Sequence, residues 1–421
     1  MRIGPLEPAA RALGPDLARG FMLLFIALAN THYFLRGPSH LGGYPEGGTV
    51  VDDAVVWLLS TFVDGRAFPM FGLLFGYGVA RIVQRQRERA ARSDDATGPS
   101  RASVDPGAAA VPDEAVVPGP RAGRWGVRRL LWRRAAVLIA VGLVDATLFY
   151  VGDILAAYGV LLLVGALMVF WRDRWLLTVA VLLLALNALP NADLSTIGRT
   201  GPDPSMLPPD LVAMVTERVP VALVVAALGP LGFLGPFALG LWAGRRRVLE
   251  RPAEHLRLLV TVAVTGIGAA VLGAQPIALV LAGVTTAPAQ PALERIAALH
   301  SATGTLGGLG YAALFALLAL RWTRPGVLVT AIAATGQRSM SCYLMQSVTW
   351  AVVFTPFLLD LSGTLSVTTT AVLATATWAV TVLIADRMRR TGRRGPFETV
   401  TRRFTYGGRP SAPHRESATT R

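Results

Sequence analysis

Residues 141–158 read VGLVDATLFYVGDILAAY, and two carboxylates in this stretch decide how the chain is understood. The stretch starts inside one apolar run, 135–150, and ends inside another, 154–170. Asp145 stands near the middle of the first run, and Asp153 stands where the chain turns between the two. An isolated carboxylate at bilayer depth is expensive, so it marks a functional site unless a neighbouring helix satisfies it in neutral form. Asp153 has a simpler use as well. At the start of a helix its side-chain oxygen accepts hydrogen bonds from the first free N–H groups.

These runs are typical of the whole chain. Of 421 residues, 53% are hydrophobic and 16% charged, and the mean hydropathy is +0.50. Long uncharged segments recur, which is the composition of a polytopic membrane protein. The expected fold is all-α, a transmembrane helical bundle of about ten spans. The single Cys342 excludes an intramolecular disulfide and a cysteine zinc cluster. There is no Lys, so Arg carries every fixed positive charge, and the net charge is +14. In a membrane chain this excess reads as topology and attraction to anionic lipid headgroups, not as nucleic-acid binding.

In order, residues 1–83 hold a polar N-terminal tail and the first two spans, about 16–35 and 66–83. Residues 84–123 are rich in Arg, Ala, Pro, Gly, Asp and Ser and read as a disordered cytoplasmic loop. Residues 124–386 hold the other eight spans of the same membrane domain, and 387–421 form a basic cytoplasmic tail. A Pro-rich loop covers 191–218, with a short surface helix over 209–219, and 327–335 leads into the ninth span. Ala27-Leu28-Ala29 resembles a signal-peptidase site, but the polar residues of the first span share one face, so retention of that span is expected. With ten spans, the Arg-rich segments all fall on one side, which the positive-inside rule makes cytoplasmic. The opposite loops carry Asp52, Asp53, Asp153, Asp193, Asp203, Asp210 and Asp360. Both termini are then expected to be cytoplasmic, in a protein that crosses the membrane many times.

Three polar constellations stand out. Asp16, Arg19 and Asn30 lie on one face of the first span, because eleven residues at about 100° each bring Arg19 and Asn30 nearly into line. Arg is the best fork for phosphate or carboxylate, although at a span's cytoplasmic end it also serves simply to snorkel. The second constellation is Asp145 with Asp153 and Tyr158. The third is Tyr343, Gln346 and Ser347, spaced i, i+3 and i+4 on one face of the ninth span, where interhelical hydrogen bonding is the plain use. His32, His40 and His300 fall on the outer side, His255 and His414 on the cytoplasmic side. No HxxxH or HExxH spacing occurs, so no metal is expected. No phosphate-binding P-loop and no GxSxG elbow occur either. Gly72, Gly76 and Gly78 leave room for a neighbouring helix against the second span.

Several segments together resemble one family, the YeiB-like bacterial membrane proteins, a domain of unknown function. Asp16-Leu17-Ala18-Arg19-Gly20 with Asn30 resembles its opening motif, and residues 71–78, FGLLFGYG, preceded by the basic Arg66, resemble its second. Gly152-Asp153-Ile154-Leu155 with Tyr158 resembles its GDIL motif. Gly310-Tyr311, Gly336, Tyr343-Leu344 and Gln346-Ser347 resemble later ones, and Gly395-Pro396-Phe397-Glu398 with Arg402 and Tyr406 the closing one. The family is similar to membrane acyltransferases that use cytoplasmic acyl-CoA to acylate a hydroxyl or amine across the membrane. The acyltransferase-three branch has His where Asn30 stands. The glucosaminide acetyltransferase branch resembles this chain in having Asn there and a His farther along, for which His40 is the nearest counterpart and His32 the second. Many YeiB-like proteins have His at the position of Asp145.

The resemblance implies an acyltransferase in which Arg19, Arg66 and Asp16 hold the acyl-CoA co-substrate. Asp145 or His40, near Asn30, would act as general base. Asp153, Tyr158, Tyr343 and Gln346 would contact an outer-side lipid, glycan or metabolite acceptor. A transporter or permease for a small molecule is the other expectation, with Asp145 as its coupling carboxylate. Besides the lipid bilayer and the acceptor lipid or glycan no further partner is implied, nucleic acid is not expected, and a homo-oligomer is left open.

Overall fold

The computed structural model describes residues 12–96, 123–187, 189, 198–322 and 324–406. The N-terminal tail, most of the loop expected over 84–123 and the last part of the basic tail lie outside the described residues. Among those described, the chain forms α1 (Leu13–Thr31), α2 (Val50–Phe62), α3 (Ala67–Ala96), α4 (Arg124–Leu148), α5 (Leu155–Met168), α6 (Asp173–Asn187) and α7 (Leu211–Arg245). It continues with α8 (Leu256–Leu281), α9 (Gln290–Ala319), α10 (Val327–Gln337), α11 (Ser339–Phe354), α12 (Val367–Arg390) and α13 (Pro396–Tyr406). A two-stranded antiparallel hairpin, β1 (His40–Leu41) and β2 (Tyr44–Pro45), sits between α1 and α2, with His40 opposite Pro45.

This is the helical bundle of a membrane protein. Among the described residues six segments are long and apolar enough to cross a bilayer: Leu13–Phe34, Val50–Glu88, Leu211–Arg245, Pro252–Leu281, Gln290–Ala319 and Val367–Arg390. The sequence reading counts about ten, and the difference has a physical origin. Helices α5, α6 and α11 have only 14, 15 and 16 residues, against roughly 20 for a bilayer core. Helix α4 carries Arg124, Arg128, Arg129, Arg133 and Arg134, which leaves its apolar part to 135–148.

Small residues let the helices approach. Gly76 of α3 and Gly240 of α7 face each other's backbones: a Cβ at Gly76 would lie 2.2 Å from Phe237 O, and one at Gly240 2.1 Å from Leu73 O. Without a hydrophobic driving force between helices in lipid, such close packing supplies much of the association. The Arg clusters gather at one end of the bundle. There Arg81 Nε meets Glu250 at 2.7 Å, Arg245 Nη1 meets Asp173 at 2.8 Å, and Arg247 Nη2 meets Glu88 at 3.0 Å. At the opposite end Arg36 reaches Asp360 at 3.1 Å. The little burial there works to raise the Asp360 carboxyl, but bonds from Ser362 and Arg36 outweigh it and hold the group below the usual carboxylate range.

Asp52 fastens two helices at that same end. Its Oδ2 accepts from Thr49 N at 3.1 Å and Thr49 Oγ1 at 2.8 Å, closing the capping box of α2. Its Oδ1 accepts from Thr368 N at 2.9 Å and Thr368 Oγ1 at 2.7 Å in the first turn of α12. Losing a cap costs about 0.5–2 kcal/mol. Asp52→Ala is therefore expected to lower the thermal midpoint measurably, and Asp53→Ala, one position on, to leave it nearly unchanged.

Three expectations are corrected. Helix α3 continues to Ala96, so residues 84–96 are helical and not loop. The short surface helix over 209–219 is the start of α7, a single helix of 35 residues that takes Asp210 as its cap and passes through Pro220, Pro230 and Pro236. Each Pro removes one helical hydrogen bond, a loss that membrane helices tolerate. The segment before the ninth span is a separate helix, α10, and the chain breaks at Arg338 before α11. Beyond these, the basic tail contains a helix, α13.

Candidate functional site

Helix α4 delivers Asp145 to its last turn, where the side chain is buried (2% exposed). The chain then turns back, and Asp153 enters equally buried just before α5. Its Oδ2 accepts from Ala156 N at 3.1 Å, so the capping use does occur. The two carboxyl groups lie side by side. Gly142, one turn before Asp145, makes this packing feasible. A Cβ there would lie 2.1 Å from Ala156 N and 2.6 Å from Asp153 Oδ2.

Helix α11 supplies the facing groups. The Tyr343 hydroxyl accepts from Ile154 N at 3.4 Å and neighbours Asp153, and Ser347 neighbours Asp145. Contact falls short of hydrogen bonding. Among the described residues neither oxygen of Asp145, nor Oδ1 of Asp153, nor Ser347 Oγ has a hydrogen bond of ordinary geometry. Buried polar atoms in this state carry an unrepaid desolvation cost, which a donor brought by a ligand relieves. Gln346, on the same stripe, turns to α1 and donates to Leu23 O at 3.3 Å.

Arg218 of α7 is the residue that sequence reasoning missed. It is 1% exposed and lies within electrostatic reach of Asp145. Its guanidinium donates to Ser205 O at 2.8 Å and Met206 O at 3.3 Å, and Nη1 to Thr147 O at 3.5 Å and Phe149 O at 3.3 Å. A cation beside the last carbonyls of α4 is favourable there. The available signal was its position, a lone Arg in a span at the Arg-poor end.

On the other side of the carboxylate lies a cleft of about 550 Å³ between α4 and α11. Val141, Val144 and Asp145 line one wall, Leu344 and Val348 the other, and Phe397 of α13 joins them. Val144 and Val348 are 55% and 42% exposed, so the cleft opens on the bundle's outer surface. Helix α11 is thus two-faced: Tyr343, Gln346 and Ser347 point inward, and Leu344, Met345 and Val348 form the apolar wall. The arrangement can bind an apolar chain and present its polar end to a carboxylate.

The remaining predicted residues are elsewhere. The Arg19 guanidinium bonds Asp16 at 3.3 Å and Leu74 O at 3.2 Å, and Gln337 Nε2 reaches Asp16 at 2.9 Å, all at the Arg-rich end. Asn30 is half-buried and eleven residues further along α1, about 16 Å by helical rise, so a shared face is not a shared site. Arg66 belongs to the opposite end from Arg19 and is fully buried. It donates to Ser60 O at 3.1 Å, Ala270 O at 2.8 Å and the Asp64 carbonyl, and touches His300 Nε2 at 2.7 Å. A guanidinium so enclosed cannot join Arg19 on one cofactor.

Tyr158 is a core residue. Its hydroxyl donates to Phe68 O at 3.2 Å and its ring packs on Phe71, Phe75 and Phe233. His40 is buried in the hairpin, with Nε2 3.0 Å from Leu35 O, and His32 stacks on Tyr44 at 3.9 Å. Burial, with the Asp64 carboxylate bonded to its hydroxyl at 2.7 Å, pushes the Tyr44 phenol well above its usual range. The structure therefore brings together Asp145, Asp153, Tyr343 and Ser347, and gives Arg19 with Asp16, Arg66, His40 and Tyr158 other partners. No group of three or more His, Cys, Asp or Glu able to hold a metal occurs among the described residues.

Residues 243–408 match a family described as "Protein of unknown function (DUF418)". Over 442 aligned residues the chain is 24% identical to "Uncharacterized protein YxaH" of Bacillus subtilis (strain 168), covering 93% of each. The matched family segment includes α11 and α13, hence Tyr343, Ser347 and Phe397 of the site, but neither aspartate.

Proposed function

We propose that the chain is a membrane acyltransferase that moves an acyl group from acyl-CoA to a hydroxyl of an amphipathic lipid, glycan or metabolite. The observation that supports this most is the placement of the Asp145 carboxyl in the wall of an otherwise apolar cleft. Asp145 takes the proton of the acceptor hydroxyl as its oxygen attacks the thioester carbonyl. The carbon–oxygen bond forms, the carbon–sulfur bond breaks, and the proton passes to the departing CoA thiolate. Asp153, Tyr343 and Ser347 orient the carboxylate and the acceptor. The Arg-rich end, with Arg19 and Asp16, is the natural side for the phosphates of CoA. The positive-inside rule then makes it cytoplasmic, with both termini inside the cell membrane.

The test is release of free CoA thiol by the purified protein in nanodiscs, with acyl-CoA and a panel of bilayer lipids, glycolipids and small hydroxylated acceptors. Acceptor-dependent release above an empty-nanodisc control is the expected result. Proton-coupled solute flux in liposomes with no CoA released would overturn it in favour of a permease using the same carboxylate.

A further inference from the structure

We infer that Phe397 closes the Arg-rich end of the cleft and sets the length of acyl chain that fits, an inference that rests on the acyltransferase reading above. The residues lining the cleft come from α4 with its C-cap Phe149 and from α11, except Phe397. Its N–H donates to Ser341 Oγ at 3.1 Å, one turn before Leu344, so the ring sits at the start of the α11 wall. Asp145 lies further along the α4 wall, five residues beyond Ala140.

Phe397 is held there by its neighbour. Glu398 Oε1 accepts from Met340 N at 2.9 Å and Ser341 N at 3.1 Å, and Oε2 from Ser341 Oγ at 2.5 Å. A carboxylate from α13 thus caps the first turn of α11, where free N–H groups and the helix dipole favour negative charge. Arg133 Nη2 donates to Phe404 O at 2.8 Å and ties the far end of α13 to α4. The helix carrying Phe397 is therefore fixed to both walls.

From Ala140, the first lined residue of α4, to Asp145 the helix rises about 7.5 Å. An extended chain advances about 1.2 Å per bond, as the backbone does, so about six bonds fit along this wall from the carboxylate. A longer chain that keeps to the wall meets Phe397.

The experiment is competition of a fluorescent acyl-chain probe by saturated acyl-CoAs of increasing length, on the purified full chain in nanodiscs. Three proteins are compared: wild type, Phe397→Ala and Phe397→Trp. Phe397→Ala is expected to strengthen binding of the longest chains about tenfold, and Phe397→Trp to move the optimum to shorter ones, since one methylene in a fitted pocket is worth about tenfold or more. Phe397→Leu, close in volume, keeps a folded reference near the wild-type optimum. A length optimum unchanged in Ala and Trp variants alike would overturn the role of Phe397 and leave the acyltransferase reading standing. Failure of the wild type to bind any acyl-CoA would overturn that reading, and Phe397 with it.

Discussion

Asp145→Asn is expected to lower acceptor-dependent CoA release by about 10²–10⁴-fold, the usual contribution of a positioned general base, while the protein keeps or gains thermal stability. The second half of the expectation gives the first its meaning. Asp145 is buried, and neither of its oxygens has a hydrogen bond of ordinary geometry among the described residues. Asn has nearly the same shape and no charge. It therefore removes the cost of burying a carboxylate beside Asp153 and gives up no ordinary hydrogen bond. Residues kept for function commonly sit at such a cost to stability. A structural Asp145 would behave in the opposite way, with stability falling and whatever activity exists changing only in proportion. The checks are the thermal midpoint and the initial rate, measured on the same preparation. Asp153→Asn should cost less activity, because Asp153 also caps α5 through Ala156 and a side-chain amide oxygen can still accept that bond.

Gly142→Ala is expected to be the most damaging single-methyl addition near the site, at about 1–3 kcal/mol. The added Cβ would lie 2.1 Å from Ala156 N and 2.6 Å from Asp153 Oδ2. Backbone and carboxylate cannot both yield within the tight α4–α5 packing, so the start of α5 must shift. That moves Asp153 away from Asp145, and activity falls along with the thermal midpoint. Gly126, on the same helix, has nothing within 4 Å of an added Cβ. Gly126→Ala should be neutral or slightly stabilising, as Ala replaces Gly in a helix without strain. Equal behaviour of the two variants would contradict the packing account.

How far the site was legible follows from how local each feature is. Asp145 and Asp153 are eight residues apart across one turn, and any helical hairpin brings them close. The stripe of Tyr343, Gln346 and Ser347 follows from helical periodicity alone, as does the pairing of Asp16 with Arg19. That the stripe meets the carboxylates, while Gln346 turns to Leu23, depends on how α11 sits between α1 and α4, and periodicity carries no such information. Tyr158 belongs to the same short motif as Asp153, yet its hydroxyl goes to Phe68 O. Proximity in sequence misled there, because the first turn of α5 points Tyr158 toward α3. Arg218 was hidden by its placement in the loop over 191–218 and the short surface helix over 209–219, which α7 absorbs. Helix α13 was hidden by its polarity: Phe397, Val400 and Phe404 share a face, but Arg402, Arg403 and four Thr or Glu neighbours make the average hydrophilic. The closing Gly-Pro-Phe-Glu motif was visible as a pattern, and only the fold shows Glu398 capping α11 and Phe397 in the cleft.

The most direct measurement is the thermal midpoint of the purified wild-type protein in nanodiscs with acetyl-CoA, longer acyl-CoAs and a plain nucleotide as control. A ligand that binds only the folded state stabilises it by about 2.7 kcal/mol at a hundred times its Kd. The account predicts a rise that grows with acyl length up to the limit of the cleft and that the nucleotide alone does not reproduce. No shift with any acyl-CoA, or the same shift with the bare nucleotide, would contradict it.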